Sequence, residues 1–159
     1  MPTVDKAALQ AELVAQLAAA LASAQRAHAA AVEGATHTEA RAENPKDTRG
    51  LEQSYLARGQ AQRVAELEIG LAAVAALVLR DFAPGDPIAV GALVTADDDG
   101  DHKQLFVAPH GGGSVLVGGV QVVTPSSPRG RALLGKRVGD EAELRLPGGQ
   151  RTLVVAAVC

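Results

Sequence analysis

Aromatic residues are scarce in this 159-residue chain: they make up 2% of it, and tryptophan is absent. Proteins that grip single-stranded nucleic acid or aromatic ligands usually do so with aromatic side chains, on which bases and rings stack. The chain also lacks a basic excess, since its net charge is −3. The sequence therefore argues against nucleic-acid binding by this protein alone, and any such contact is expected to come through a protein partner.

Cysteine occurs once, at Cys159, which excludes an intramolecular disulfide and a cysteine metal cluster. The four histidines show no metal-ligand spacing, so no metal site is expected in the isolated protein. The segment from Met1 to Lys6 lacks the basic and then apolar order of a secretion signal. No charge-free apolar run reaches the length of about 18 residues that a membrane span needs. These absences predict a cytoplasmic protein without membrane contact.

Two long helical patterns fill the first half of the chain. The first helix is predicted from Asp5 to about Glu33, with Gly34 ending it, and it carries leucines at four-residue steps, Leu9, Leu13, Leu17 and Leu21. The second is predicted from about Pro45 to about Leu79. Its apolar seam continues towards Pro45 through smaller or polar residues and comprises Gln53, Ala57, Gln60, Val64, Leu67, Leu71, Val74 and Val78. Together these patterns predict an antiparallel coiled-coil hairpin.

The segment between the two helices is charged and contains the dipeptide Asn44-Pro45. Proline disfavours helical geometry in the preceding residue and suits the first position of a new helix, so Asn44 is the predicted N-cap. Glu43 then lies just outside the cap and Asp47 in the first turn, at the positive end of the helix dipole. One interpretation is that these carboxylates only cap the helix; the other is that they form a functional tip.

The second half of the chain has the pattern of a small β domain. Two prolines and a glycine between Asp81 and Pro87 mark the boundary, which predicts domains 1–80 and 81–159. The predicted strands are Ile88 to Thr95, Gln104 to Ala108, Ser114 to Val123, Glu141 to Leu146 and Thr152 to Val158. A short helix is predicted within Pro128 to Leu134, capped at Ser126-Ser127. The fold class is therefore α+β, a helical hairpin followed by a small antiparallel sheet with one helix.

Four short sequence motifs follow one another in this domain: Ser127-Pro128, Arg131-Ala-Leu-Leu-Gly-Lys136, Val138-Gly-Asp140 and Pro147-Gly-Gly149. In this series the chain resembles the Gre family of bacterial transcription elongation (transcript cleavage) factors. The resemblance implies an FKBP-like fold for the C-terminal domain, which would dock on the rim of the secondary channel of RNA polymerase. The hairpin would then pass down the channel to the active site. Ser126, Ser127 and Pro128 correspond to the family's docking loop.

The resemblance also assigns roles at the tip. Glu43 falls on the position of the family's first tip acid, whereas Lys46 takes the place of the second and Asp47 follows it. Glu43 and Asp47, with a smaller contribution from Glu39, would complete the site of a Mg²⁺ ion shared with the polymerase, so the protein would be an accessory factor without its own cofactor. The cations that could contact the nascent RNA 3′ end within that complex are Arg41, Lys46 and Arg49, although a solvated helix face is the simpler interpretation. DNA would be reached only through the polymerase.

Three alternatives stay open at this stage. A lysine beside the metal site would repel Mg²⁺, which favours a Gre-like regulator that occupies the channel without stimulating cleavage. A coiled-coil oligomerisation module would show the same seam. An FKBP-like domain also suggests prolyl isomerase or chaperone activity, against which the low aromatic content argues. The aspartates from Asp97 to Asp101 are predicted to form a solvated turn.

Overall fold

The structure is a computed structural model that describes residues 3–41 and 48–159, with the side chains of residues 3–36 and 50–159. Its helices are α1 (Lys6–Arg41), α2 (Thr48–Ala75) and α3 (Pro128–Leu133). Its strands are β1 (Leu93–Asp98), β2 (Asp101–Val107), β3 (Gln121–Val123), β4 (Glu141–Leu146) and β5 (Gly149–Val158). A short 3₁₀ turn, Val117–Gly119, precedes β3. The predicted α+β class is confirmed.

The chain forms two compact units. One consists of Ala15–Ala72, and the other joins the stretch ending at Val14 to Ala73–Cys159. Both long helices therefore contribute to both units. The division into domains 1–80 and 81–159 remains a prediction.

Within the hairpin unit, α1 and α2 pack through the predicted seam. On α1 the buried residues change from leucine at Leu17 to alanine at Ala24, Ala31 and Ala35. On α2 the positions of the seam from Gln53 to Leu71 are buried or half-buried, as predicted. Small residues on one helix let the other approach closely. His28 Nδ1 lies 3.1 Å from the carbonyl oxygen of Ala57, and Gly34, further along α1, lies opposite Gln53, which is earlier in α2, so the helices run antiparallel.

Gly34 does not end α1, so that prediction is wrong; the helix continues to Arg41. A Cβ atom at Gly34 would lie 3.0 Å from the side-chain oxygen of Gln53. The glycine thus accommodates a polar side chain of α2 at a point where the helices are close. A contact of this kind has no local sequence signal, and in the sequence the residue is indistinguishable from a helix terminator.

Helix α2 ends at Ala75, four residues before the predicted Leu79. The side-chain amide of Gln10 donates to the carbonyl oxygens of Val74 and Leu77, both at 2.8 Å. These bonds satisfy acceptors that a helix end leaves without intrahelical partners. Val78, predicted to continue the seam, is instead 85% exposed.

The sheet has the strand order β3-β2-β1-β5-β4. Three of its pairs are antiparallel as predicted, but β2 and β3 run parallel, so the prediction of a wholly antiparallel sheet is wrong. The predicted strand from Ser114 to Val123 is interrupted, because Gly118 adopts a left-handed conformation (φ 74°) in the 3₁₀ turn. The first strand begins at Leu93 and not at Ile88, after a turn in which Gly91 has φ 96°.

The largest core cluster of the second unit lies on one face of the sheet, and Leu93, Phe106 and Val122 are buried on the other face. The cluster contains alternate residues of the strands, among them Val94, Ala96, Leu105 and Val155, and is covered by Leu133 of α3. The first turns of α1 belong to this unit, and there Leu9 and Leu13 are completely buried. The base of α1 is therefore part of the structure that supports the sheet.

The segment Lys6–Thr36 of α1 is long and apolar enough to cross a membrane by length and composition alone. Core helices of soluble proteins meet the same criterion, so a single such helix is a weak indication. Leucines of this helix, such as Leu13 and Leu17, are already buried against protein. The absence of membrane contact stays a prediction.

Candidate docking site

The turn that precedes α3 holds the predicted Ser-Pro pair. Ser127 is the N-cap of α3: its hydroxyl accepts the backbone N–H of Gly130 at 3.1 Å and donates to the carbonyl oxygen of Thr124 at 2.8 Å. Pro128 occupies the first turn of the helix, and both Ser126 and Pro128 are exposed. The predicted cap is confirmed. The turn offers two exposed side chains on a backbone fixed from both sides.

Gly130 explains why this turn can be so tight. A Cβ atom at this position would overlap the carbonyl oxygen of Thr124. Only glycine lets the first turn of α3 pack directly on the chain that leads into it. The positions of Ser126, Ser127 and Pro128 are thereby set by backbone contact and by the Ser127 hydroxyl together.

A groove of about 450 Å³ opens beside this turn, and we refer to it as the Ser127 groove. Its walls come from the chain before β3, from β3 itself, from the start of α3 and from the end of β4. The lining residues are Gly112, Gly113, Val115, Gln121, Val122, Val123, Ser127, Pro128, Arg129 and Leu146. The groove therefore combines apolar side chains with one cation, Arg129.

A buried carboxylate, that of Asp98, lies on the face of the sheet that also carries Val94 and Ala96. Asp98 is 7% exposed and forms ion pairs with Lys103 Nζ at 2.8 Å and Arg151 Nη1 at 2.9 Å. The hydrogen bond from Lys103 holds the pKa of Asp98 below its usual value; burial opposes this, and the charges of Lys103, Arg151 and Arg129 support it. The predicted solvated turn is thus wrong for Asp98. It is correct for Asp99-Gly100, where both residues have positive φ.

The sequence did contain a signal for Asp98. It follows Val94 and Ala96 at two-residue steps, so in a strand it shares their buried face. A run of five charged or glycine residues obscured this alternation. The partner Arg151 is 53 positions away and could not be inferred locally.

Three polar side chains of α1 bind backbone groups of distant segments, and sequence reasoning missed all three. Gln10 caps α2 as described, and the Glu12 carboxylate accepts the N–H of Val117. The Lys6 ammonium donates to the carbonyl oxygens of Arg80 and Gly91 and lies 4.9 Å from the ring centre of Phe82. Burial lowers the pKa of Lys6 from its usual value.

The residues predicted at the tip cannot be placed. Glu43, Lys46 and Asp47 lie outside the described residues, and so do the side chains of Glu39, Arg41 and Arg49. Among the described residues, no group of three or more His, Cys, Asp or Glu side chains could hold a metal ion. The roles of the tip residues remain predictions.

Residues 83–159 match the family model described as "Transcription elongation factor, GreA/GreB, C-term". Over these residues, which we call the Gre domain, the chain is similar to the Gre family. The match covers α3 and all five strands, and so both the Ser127 turn and the Ser127 groove lie within the Gre domain. The helical hairpin followed by this domain confirms the predicted architecture.

Proteins with similar sequences include several named as transcription elongation factors. The chain is 30% identical over 98 residues to "Transcription elongation factor GreA" of Beijerinckia indica, and 35% identical over 98 residues to that of Agrobacterium fabrum. Each alignment covers 60% of this chain and 60% of the relative. The chain thus aligns with little more than half the length of these GreA proteins.

Two solved structures are similar along most of the chain. "GreA factor homolog 1 (Gfh1)" of Thermus thermophilus is 23% identical, with 92% of this chain and 94% of that one covered, at a TM-score of 0.41. Thermus aquaticus Gfh1 is 25% identical, with coverages of 90% and 91%, at a TM-score of 0.42.

Proposed function

We propose that this protein is a bacterial transcription elongation factor that binds RNA polymerase at the secondary channel and stimulates cleavage of backtracked RNA. The observation that carries the proposal is the match of residues 83–159 to the GreA/GreB C-terminal domain. The relatives named as transcription elongation factors support it over 98 aligned residues. The protein would work in the cytoplasm, as an accessory factor and not as an enzyme.

Docking is assigned to the exposed turn of Ser126, Ser127 and Pro128. Its two-sided fixation by the Ser127 hydroxyl supports this assignment, since a preordered turn loses little conformational entropy on binding. Nucleic acid would be met only inside the complex, which agrees with the net charge of −3. There Arg41, Lys46 and Arg49 would bind phosphates of the RNA 3′ end.

The chemistry is assigned to the tip. A pair of Mg²⁺ ions stabilises the attacking and leaving oxygens in phosphodiester hydrolysis by a polymerase. The carboxylates of Glu43 and Asp47 would supply hard oxygen ligands at the polymerase active site and orient the attacking water by hydrogen bonds, with Glu39 nearby. Neither residue would act as a nucleophile. Exposed carboxylates bind Mg²⁺ weakly by themselves, so we expect no nuclease activity without polymerase.

A second candidate function is a Gre-like regulator that occupies the channel without stimulating cleavage. The observation in its favour is Lys46, which stands where the resemblance places the second tip acid. A fixed positive charge close to Mg²⁺ raises the free energy of the metal-bound state. In this case Lys46→Glu should create or increase cleavage stimulation.

The experiment that tests these functions is addition of the purified protein to backtracked elongation complexes with Mg²⁺, followed by measurement of RNA length on a denaturing gel. For a cleavage factor we expect shortened transcripts that Asp47→Ala abolishes while polymerase binding persists. Glu52→Ala, at an exposed acid on α2, is the matched control. Binding without cleavage would favour the regulator, and no binding would refute both functions.

Two other interpretations predict different outcomes in simple assays. An oligomerisation module would self-associate in sedimentation experiments and would not bind polymerase. A chaperone or prolyl isomerase would accelerate isomerisation of a proline peptide above background. Neither activity is expected here.

A further inference from the structure

The part of the hairpin that contains residues 24–35 of α1 is packed by small side chains, and we call it the distal seam. Ala24, Ala31 and Ala35 are buried there, and the half-buried His28 occupies the seam position between the first two. An alanine buries little apolar surface, so the hydrophobic stabilisation of the distal seam is small. Equal side chains at successive seam positions also distinguish poorly between one register of the helices and another.

His28 supplies a contact that does distinguish between registers. Its ring nitrogen Nδ1 lies 3.1 Å from the backbone carbonyl oxygen of Ala57 on α2. A carbonyl oxygen only accepts hydrogen bonds, so Nδ1 carries the proton. The neutral Nδ1–H tautomer and the imidazolium ion both donate from this nitrogen, so the bond does not depend on the charge of the ring. Because Ala57 has no side chain beyond Cβ, the ring reaches the backbone of α2 directly.

A second contact lies further along α1. The side chain of Gln53 packs against Gly34, where a Cβ atom would lie 3.0 Å from the Gln53 side-chain oxygen. Gly34 follows His28 on α1 and Gln53 precedes Ala57 on α2, so both contacts belong to the same antiparallel register. A shift of one helix by one residue moves it by about 1.5 Å and turns its side chains by about 100°, which would separate both pairs.

These contacts give the histidine a role in the hairpin. We propose that His28 is a positioning residue, whose bond to the Ala57 carbonyl oxygen selects one register of α1 against α2 in the distal seam. A single polar residue in an apolar seam can fix the register of a coiled coil at a cost in stability. Register decides how the end of α1 at Arg41 lies relative to the start of α2 at Thr48. The inference rests on the proposed function, under which the acids assigned to the tip act from the segment that joins these two ends.

The first test is the protonation of the His28 ring. Nitrogen-15 chemical shifts distinguish the Nδ1–H from the Nε2–H tautomer, and the signals of His28 are identified by their loss in His28→Asn. At a pH where the ring is neutral we expect the Nδ1–H tautomer, because only that form donates to Ala57. The Nε2–H tautomer alone would refute the hydrogen bond and the proposal with it.

The second test measures the register directly, by the distance between two spin labels on the full-length protein. The background is Cys159→Ser, since this thiol is free and exposed. The distal pair, Glu33→Cys with Glu52→Cys, places labels at exposed positions beside the distal seam. The proximal pair, Ala19→Cys with Ala65→Cys, uses exposed positions of the same two helices away from it.

Both pairs are measured with the wild-type histidine, with His28→Leu and with His28→Asn. Leucine fills the seam but cannot donate, so we expect the distance distribution of the distal pair to broaden or split, while that of the proximal pair stays narrow. Asparagine places an amide N–H close to the position of Nδ1 and should restore the single distribution. Because leucine is apolar, His28→Leu should unfold at the same or a higher temperature, which separates a loss of register from a loss of folding.

The consequence for function is measured with backtracked elongation complexes and Mg²⁺. At saturating protein we expect His28→Leu to lower the rate of RNA cleavage by about tenfold or more, since a misplacement of about 1 Å can cost about a hundredfold. The affinity for polymerase should change by less than about twofold. His28→Asn should retain the rate. Ser23→Leu, at an exposed position of α1, is the matched control and should retain both the rate and the affinity.

The outcomes separate this inference from the function on which it rests. Wild-type protein that does not stimulate cleavage would refute the proposed function, and the tautomer and the spin-label distances would still decide whether His28 selects the register. A distal distance distribution that His28→Leu leaves unchanged would refute the proposal. A broadened distribution with an unchanged cleavage rate would also overturn it, because the register would then not position the acids of the tip.

Discussion

Glu12 and Val117 are 105 positions apart in sequence, and yet the carboxylate of the first accepts the backbone N–H of the second at 2.9 and 3.1 Å. The bond joins the second turn of α1 to the 3₁₀ turn before β3. A charged acceptor makes this hydrogen bond stronger than a neutral one. The relationship makes the shape of the Ser127 groove depend on a residue of the N-terminal helix.

Substitution of Glu12 by alanine should loosen the chain around Val117. Because the bond is solvent-exposed, we expect a loss of unfolding free energy of only about 1 kcal/mol, with a clear increase in hydrogen exchange at the Val117 amide. Glu12→Gln keeps an acceptor oxygen and should restore most of the protection. Equal protection in the wild type and the alanine variant would show that the loop holds its position without Glu12.

Gln10→Ala should destabilise the end of α2. The substitution removes two bonds to the carbonyl oxygens of Val74 and Leu77, each worth about 0.5–1.5 kcal/mol. Thermal unfolding should show the loss, and hydrogen exchange should localise it to residues 74–79. Gln62→Ala, which affects an exposed bond to Glu66 within α2, is the matched control and should change little.

The Asp98 ion pairs predict a pH dependence of stability. Because the folded-state pKa of Asp98 is below its unfolded value of about 4, its contribution is fully present above that value and is lost as pH falls through the folded-state pKa. Asp98→Asn should therefore be less stable than the wild type at neutral pH, and the difference should narrow on acidification. Asp99→Asn, in the exposed turn, is the control. A difference that does not vary with pH would assign the effect to packing.

Gly130→Ala should be strongly destabilising, by more than about 3 kcal/mol, because its Cβ atom would overlap the Thr124 carbonyl oxygen and force α3 away from the docking turn. Gly59→Ala on α2 meets nothing within 4 Å and should stabilise the protein by about 0.5–1 kcal/mol. Denaturant unfolding compares the two. Similar effects of both substitutions would contradict the close approach at Gly130.

Elements whose cause is local could be predicted from the sequence. Glu141 to Leu146 alternates and is bounded by turn residues, and it forms β4 with the predicted bounds. Ser127-Pro128 caps α3 because the hydroxyl, the proline and the helix start are adjacent in sequence. The seam of the two long helices could also be predicted, because its residues recur at three- and four-residue steps.

Elements whose cause is a distant residue could not be predicted. Gly34 lies inside a helix with Gln53 opposite, and the carbonyl oxygens at and just after the end of α2 are bonded by Gln10. The parallel pairing of β2 and β3 depends on the 3₁₀ turn, which Glu12 helps to hold. The groove itself is assembled from four separate segments, so its apolar wall and its arginine acquire meaning only in the folded chain.

The strand order leaves β3 and β4 at the two margins of the sheet, where unpaired backbone groups can recruit a strand from another molecule. At β3 the outward backbone groups of Val122 are instead bonded to Gly113 and Ser114. β3 has only three residues, and Val115 forms a bridge to Gln121 there. β4 carries the charged and exposed side chains Glu141, Glu143 and Arg145 along its length. Short or charged margins resist aggregation by strand addition. We therefore expect the protein not to self-associate through its sheet. A titration of polymerase should then report the binding of single copies of the protein, even at high protein concentration.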